Sequence, residues 1–396
     1  MERKESEVKR PGLPKSLQRR DFRTLTTCKK NIFVFMSNAE SFQAAAWRRL
    51  RKNKGAVAGM IIILLSIIVA LFAYFIAPDH SPFANRIILE TGGEKPGFTQ
   101  QFLLVKNEKN IPATGFFSRL LFGKEDSYFF IPINSYSIIS DSIIVDKFID
   151  EGVSERQSYL LSQTAKIPVI KKKFLLGTDK YGRDIYSRLI IGTRVSLGVG
   201  LITVIISLSI GILLGSLAGY FGGKTDNIIM WLINIIWSIP TLLLVFAITL
   251  LLGKGFWQVF IAVGLTMWVN VARLVRGQVL GVRELEYVEA ARALGFSHYR
   301  IIFRHILPNI MGPVMVIAAS NFASAIVIEA GLSFLGVGVQ PPQPSWGLMI
   351  KENYNFIITK NPMLALAPGF AIMILVLSFN LLGNGLRDAL NVRGKL

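Results

Sequence analysis

The sequence predicts an all-α polytopic membrane protein of six transmembrane helices, with a cytoplasmic loop between helices four and five and an extracytoplasmic insert between helices one and two. Of the 396 residues, 52% are hydrophobic and only 17% are charged, whereas soluble domains carry about 25% charged residues. Several apolar runs reach the roughly 20 residues that a helix needs to cross a bilayer. Basic residues concentrate before the first run, as expected for a cytoplasmic segment.

The first predicted element is a basic cytoplasmic tail, residues 1–54, which ends in an interfacial helix over residues 42–54. Trp47 and a cluster of cations suit this helix to the lipid headgroup region. The net charge of +19 follows largely from such segments, and no nucleic-acid-binding signature accompanies it. The first span covers residues 55–77, and Pro78 ends it.

The predicted insert is a long polar segment, residues 79–188. It is long enough to form a small folded domain, and its lysines do not argue against an outside location because long loops largely escape the positive-inside rule. Residues 102–105 are β-prone, whereas residues 153–163 are predicted as a helix. We find no catalytic motif in this segment.

The other five spans form a predicted transmembrane core over residues 195–386. Their ranges are 195–219, 228–252, 257–274, 311–337 and 364–386. Pro240 and Pro368 lie within spans, where neighbouring helices satisfy the carbonyls that proline leaves free. With the N-terminus inside, six spans return the tail 387–396 to the cytoplasm, and the loop 276–308 also lies inside. Both segments are basic, so the orientation is consistent.

The cytoplasmic loop is predicted to contain two short helices joined by a glycine, and we call its residues 284–308 the elbow. Good helix formers dominate up to Leu294, and Gly295 supplies the left-handed residue that commonly ends a helix. Ser297 then caps a second helix, which is expected to stop at Pro308 because proline cannot continue the hydrogen-bond ladder. A membrane protein gains little from such a polar elbow unless a partner docks on it.

The elbow resembles a motif of the permease subunits of bacterial ABC importers: Glu-Ala-Ala, three residues, Gly, nine residues, then Ile-x-Leu-Pro. The matching residues are Glu289, Ala290, Ala291, Gly295, Leu307 and Pro308. His305 stands where the motif has Ile. The two alanines leave little side-chain bulk, so another backbone can approach them. The resemblance implies that the elbow is a coupling helix that sits in a cleft of an ATPase subunit.

Further segments resemble the C-type permease of dipeptide and oligopeptide importers, a group that includes nickel-importing relatives. The matching segments are 46–51, 176–188, 334–336, 340–342, 344–347 and 380–388. The resemblance covers residues 40–77 and 174–391 approximately. The intervening segment is longer than expected for that family and has no match there.

This resemblance implies an inner-membrane protein with cytoplasmic termini, embedded in membrane lipid, that forms half of a translocation pathway. Its expected partners are a homologous second permease subunit, two ABC ATPase subunits, an extracytoplasmic substrate-binding protein and a peptide substrate. The chain is not expected to be an enzyme or to carry a cofactor, since ATP-Mg belongs to the ATPase partners. Residues 218–225 nearly spell a phosphate-binding loop, but they follow a membrane span and not a soluble strand.

Polar residues within the spans are candidates for the pathway or its gating, and Glu329, Asn321 and Asn380 are the residues selected. A charge at membrane depth costs at least about 2.5–3.5 kcal/mol, so such a residue usually faces a cavity or a partner. For Glu329, gating and helix packing are equally plausible expectations; for Asn321, hydrogen bonding between helices is favoured.

Three other classes of function stay open at this stage. The first is an importer of nickel or another small solute. The second is an ion-coupled transporter, although such proteins tend to carry inverted repeats and several membrane charges, whereas this sequence shows no repeat and essentially one buried acid. The third is a membrane sensor with a ligand-binding outer domain. A single cysteine, Cys28, and three scattered histidines argue against a metal centre.

Overall fold

The structure, a computed structural model, describes residues 42–107, 115–150, 152–253, 255–356 and 361–390. Most of the predicted basic tail and the end of the C-terminal tail, residues 1–41 and 391–396, lie outside the described residues.

The chain begins with two helices separated by one residue. Helix α1 (Phe42–Lys52) is followed by α2 (Lys54–Leu71) and by a short continuation, α3 (Ala73–Ile76). Asn53 caps α2, because its Oδ1 accepts a hydrogen bond of 3.1 Å from the amide of Ala56. The cap separates the basic helix from the apolar one and fixes where the first span starts.

The insert folds into a five-stranded antiparallel sheet with one short helix, α4 (Phe116–Phe122). The strands are β1 (Thr99–Lys106), β2 (Tyr128–Ile139), β3 (Ser142–Asp150), β4 (Val153–Leu160) and β5 (Thr164–Lys173). They lie in the order β4-β3-β2-β1-β5, so the first strand pairs with the last. The buried side chains of Leu103, Ile133, Ile143 and Val145 form the core of the sheet.

This sheet corrects two predictions. The all-α class is wrong for the insert, and residues 153–163 form β4 and one 3₁₀ turn where a helix was expected. In the pairing of β3 with β4, Lys147 lies opposite Glu155 and Asp146 lies opposite Arg156. Opposite charges directly across two strands favour the pairing, so tertiary context outweighs the helix propensity of Glu, Arg and Gln here.

After the insert the chain is helical. The helices are α5 (Ile185–Phe221), α6 (Gly223–Trp237), α7 (Thr241–Leu252), α8 (Phe256–Val282), α9 (Glu286–Ala293), α10 (His298–Ile301), α11 (Leu307–Leu335), α12 (Trp346–Asn353) and α13 (Met363–Leu390).

Five helical segments in the described parts of the chain are long and apolar enough to cross a membrane: α2, α5, α8, residues 298–335 and α13. Helices α6 and α7 meet at an angle of 90° and make a sixth span if the bent pair is counted as one. Pro240, which directly precedes α7, lies at this bend. The chain is therefore mostly helical with five or six apolar spans, and a count of six stays a prediction.

The second helix of the elbow does not stop at Pro308, which corrects a further prediction. It passes through a π-helical turn, Ile302–Ile306, and continues into α11, with the proline in the first turn of that helix. The amide of Leu307 donates to the carbonyl of Ile302 across this wider turn. Proline has no amide hydrogen and its ring clashes with the carbonyl four residues earlier. A π turn places that carbonyl differently, so the elbow joins the span without a break.

Helices α5 and α8 pack closely against each other. Gly211, Gly215 and Gly219 repeat every four residues along one face of α5, so the two backbones approach closely. A Cβ atom added at Gly215 would lie 2.5 Å from the carbonyl oxygen of Ala272. The elbow packs against this pair of helices.

Candidate functional site

The turn of the elbow has the backbone that the sequence predicts. Gly295 has φ of +76°, in the left-handed region, and its amide donates to the carbonyl of Arg292 at 2.9 Å. The amide of Phe296 donates to the carbonyl of Ala291 at 3.1 Å, which completes a common helix-ending motif. Ser297 then caps α10 by accepting from the amide of Arg300 at 3.4 Å. The predicted glycine turn and serine cap are confirmed.

One face of the elbow is buried against the transmembrane helices. The buried side chains are Val288, Ala291, Ile301, Ile302 and Ile306, and they pack against Tyr220, Val271, Val275 and Val279. These partners belong to α5 and α8, the tightly packed pair described above. Because the buried face is apolar and continuous, a displacement of the elbow must also move the ends of α5 and α8 or break this cluster.

The structure divides the six elbow residues selected from the sequence into two groups. Glu289, Ala290, Gly295 and Pro308 are exposed, whereas Leu307 is half-buried and Ala291 is buried. The small side chain at Ala291 therefore makes room for this chain's own helices. Ala290 is the alanine whose side chain is left open to a partner.

An exposed apolar patch on the elbow was not anticipated from the sequence. Leu294 and Tyr299 are 73% and 71% exposed, and Phe303 lies beside Tyr299 with ring centroids 4.4 Å apart. Large apolar residues in a basic, polar loop were the available signal, because a contiguous exposed patch of this kind usually marks an interaction surface. Leu294 directly precedes the exposed motif residue Gly295.

Polar contacts connect the elbow to neighbouring helices. The hydroxyl of Tyr220, near the end of α5, lies 2.8 Å from Nδ1 of His298. The guanidinium of Arg292 lies over the ring of Tyr220, 5.0 Å from its centroid. On the other side, Asn309 donates to the hydroxyl of Tyr287 at 3.0 Å, and burial raises the pKa of that tyrosine. The elbow is thus held in one orientation by hydrogen bonds as well as by apolar packing.

A cavity of about 330 Å³ opens between α6, α7, α8 and α11. Its polar lining residues are Thr241, Thr266, Asn270, Ser320, Asn321 and Ser324. Asn321 is 4% exposed, and its Nδ2 has no hydrogen-bond partner among the described residues. A mixed polar and apolar wall is the surface expected of a site for a polar ligand.

The structure does not bring the other two membrane candidates into this cavity. Glu329 is fully buried, and its Oε1 accepts from the hydroxyl of Ser333 at 2.6 Å. That hydroxyl in turn accepts from the amide of Val339, at 3.1 Å, in the loop after α11. Asn380 lies exposed on α13. Of the three, only Asn321 lines the cavity.

At the opposite end of α5, buried ion pairs connect the core to the insert. Arg183 donates from Nε to Asp179 at 2.6 Å and from Nη2 to Glu352 of α12 at 2.7 Å. Close by, burial raises the pKa of Asp184, an effect that the charge of Lys172 on β5 partly offsets. The segment 176–188, selected from the sequence for its resemblance alone, therefore joins α5, α12 and the sheet.

Comparison with known families matches two parts of the chain. Residues 211–394 match the family described as "Binding-protein-dependent transport system inner membrane component", and residues 41–88 match the "N-terminal TM domain of oligopeptide transport permease C".

Individual relatives agree with these matches. The chain is 32% identical over 351 residues to the dipeptide transport system permease protein DppC of Bacillus subtilis, covering 89% of this chain and 86% of that protein. It is 43% identical to the glutathione transport system permease protein GsiD of Pectobacterium atrosepticum, over 56% of this chain and 73% of the relative. The oligopeptide transport system permease protein OppC of B. subtilis is 41% identical, over 56% and 72% of the two chains.

Proposed function

The chain belongs to the inner-membrane permease components of binding-protein-dependent transport systems, and from this premise we propose that it is the C-type permease of an ATP-driven importer of dipeptides or oligopeptides. Relatives named as dipeptide and oligopeptide permeases support the substrate class. In this proposal the chain forms half of the pathway, and a homologous second permease forms the other half. Peptide arrives from a substrate-binding protein on the outside.

The observation that carries the proposal is the two-sided elbow. Its inner face is packed into the ends of α5 and α8, and its outer face exposes Glu289, Ala290 and Leu294. An ATPase subunit that held the outer face would move these two helices whenever it moved the elbow. Because a ligand shifts an equilibrium only by its differential affinity for two states, the elbow must contact the ATPase differently before and after nucleotide hydrolysis.

The cavity lined by Asn321 is the proposed part of the pathway that this chain contributes. A peptide backbone carries donors and acceptors at every residue, and the wall offers hydroxyl and amide groups of the same kind. The elbow lies at the cytoplasmic side in this proposal, and the insert lies outside, in agreement with the excess of arginine over glutamate in the loop 276–308.

The proposal is tested by isolating the intact complex and then altering the turn of the elbow. We expect two ATPase subunits and a second permease to copurify with the chain, with peptide as the transported ligand. A Cβ at Gly295 meets nothing within 4 Å, so a substitution acts through backbone strain, at roughly 1–2 kcal/mol, and through the surface it presents. Gly295→Val should therefore preserve ATP hydrolysis while lowering peptide uptake by about tenfold, the equivalent of 1.4 kcal/mol.

Gly281→Ala is the matched control, since that glycine lies near the elbow, in α8, and also has open space around it. It should leave uptake and hydrolysis unchanged. Normal coupling in Gly295→Val, or a purified chain without any ATPase, would overturn the proposed role of the elbow. Uptake of nickel or another small solute in place of peptide would leave the coupling role intact and reject the substrate class.

A further inference from the structure

The short helix of the insert, α4, exposes an unusual amount of apolar surface. Four of its seven residues, FFSRLLF, are large, apolar and exposed. Phe117 and Phe122 are 77% and 67% exposed, and Phe116 and Leu121 also lie more than half open. A helix in water normally turns such side chains inward, so a non-aqueous neighbour is required.

Two contacts fix the depth of α4 relative to the spans. The ring of Phe116 lies 5.5 Å from the ring of Phe75, which is near the outer end of the charge-free run that begins at Gly55. The guanidinium of Arg194 donates to the carbonyls of Leu120 and Leu121 at 3.1 and 3.2 Å. Arg194 is the last charged residue of α5 before an apolar run that continues to Lys224. Both markers place α4 where the hydrocarbon region ends on the side of the insert.

The exposed face of α4 also continues an apolar surface of the first span. Leu71, Phe72 and Ile76 are all about half exposed at the end of that span, and in a membrane such side chains face lipid. Arg119 of α4 lies over the ring of Phe75, 4.8 Å from its centroid. A helix with apolar residues outward and a cation at its inner side is suited to the boundary between headgroups and acyl chains.

We propose that α4 is an interfacial membrane anchor. Its exposed apolar face is covered by lipid of the outer leaflet and not by a protein partner. The anchor holds one end of the insert against the bilayer, while the sheet stands in water. This inference requires that the chain spans a membrane with the insert on the outer side, as in the proposed function, and it does not depend on which substrate is carried or on the coupling role of the elbow.

The test uses fluorescent labels on single cysteines in the whole chain, reconstituted into lipid nanodiscs. Cys28→Ser removes the one native cysteine, and Phe117→Cys and Phe122→Cys place an environment-sensitive dye on α4. Leu65→Cys, 55% exposed in the middle of the first span, is the deep reference, and Ile138→Cys, 54% exposed near the tip of the β2–β3 hairpin, is the aqueous reference.

Lipids with a spin label near the headgroup should quench the α4 dyes at least about threefold more than the Ile138 dye, whereas aqueous iodide should quench them less. The Leu65 dye should respond mainly to a spin label deep in the acyl chains. If both α4 dyes behave like the Ile138 dye, the anchor is refuted. Shielding of the dyes that appears only after a substrate-binding protein is added would also refute it, in favour of a protein occupant.

Discussion

Asn321 and Glu329 lie on the same helix, α11, about 80° apart around its axis. Their side chains have different surroundings. The amide of Asn321 lines a cavity and lacks a partner for Nδ2, whereas the carboxyl group of Glu329 is sealed among protein atoms and bonded to Ser333. The sequence identified both as polar residues in an apolar run. It does not encode which neighbouring helix covers which side of α11, so it was unable to separate a residue that lines a cavity from one that is enclosed by neighbouring helices.

We expect Glu329→Gln to keep uptake within about twofold of the native level, because the amide oxygen still accepts from Ser333 and no charge has to be buried. Glu329→Leu leaves the buried hydroxyl of Ser333 without its acceptor, which should cost about 1–3 kcal/mol and lower the amount of protein in the membrane. Immunoblots of membranes beside peptide uptake measure both effects. Reduced uptake by a normally abundant Gln variant would restore Glu329 as a gating residue.

Asn321→Leu should lower peptide uptake by about tenfold, since the cavity wall loses an amide that can pair with a polar ligand and gains apolar bulk. The abundance of the protein should not change. Ser209→Leu is the control, because Ser209 is exposed on α5 and its hydroxyl donates to the carbonyl of Ile205 on the same helix. Equal uptake by the two variants would exclude the cavity from the pathway.

At the scale of elements, the sequence predicted the presence of helices more reliably than their ends. Long apolar runs identified the spans, and Gly295 marked the end of α9 as expected. The prediction at Pro308 was wrong because it assumed that proline always stops a helix. A helix can instead accommodate proline by widening one turn, here over residues 302–306. Whether a chain breaks or widens at a proline depends on the packing of the residues before it, here Ile302 and Ile306.

The glycines of α5 give a prediction about helix pairing. Gly215→Ala brings a methyl group within 2.5 Å of the carbonyl oxygen of Ala272, so α5 and α8 must separate, at a cost of about 1–3 kcal/mol. We expect a lower thermal midpoint in detergent and less protein in the membrane. Gly198→Ala, on the same helix with nothing within 4 Å, should be neutral or slightly stabilising. A Gly215→Ala protein as stable as the control would show that the two helices can separate at little cost.

For the whole molecule, the sequence distinguished the membrane core from a polar insert but not the architecture of that insert. The pairing of β1 with β5 joins residues about 70 positions apart, and no local pattern announces such a contact. The buried pair of Arg183 with Glu352 is more distant still in sequence. Both contacts join residues that are far apart in the sequence, and a single sequence contains no pattern that predicts them.

The insert itself is expected to help seat the substrate-binding protein. Its ends meet, since the amide of Phe174 donates to the carbonyl of Phe98 at 2.8 Å, so residues 99–173 can be replaced by an Asn-Gly turn. We expect this variant to enter the membrane and to bind the substrate-binding protein at least about tenfold more weakly, a loss of 1.4 kcal/mol. Affinity measured on nanodiscs tests this.

A second variant tests whether the insert binds the substrate-binding protein while leaving the fold of the insert intact. Ser154→Cys in a Cys28→Ser chain places a bulky label on the exposed strand β4 without removing any strand. The label should weaken binding of the substrate-binding protein, whereas the same label at Leu65 should not. Native affinity in both the excised and the labelled protein would end this role for the insert.

Helix α5 runs without interruption for 37 residues, about 55 Å at 1.5 Å per residue, which is far longer than the roughly 30 Å of hydrocarbon it crosses. One end adjoins the ion pairs of Asp179, Arg183 and Glu352, and the other carries Tyr220 against His298. An unbroken α-helix resists compression along its axis, so events on the two sides of the bilayer share a single mechanical connection. A change in the tilt of this one helix would then couple the arrival of cargo on the outside to nucleotide turnover on the inside.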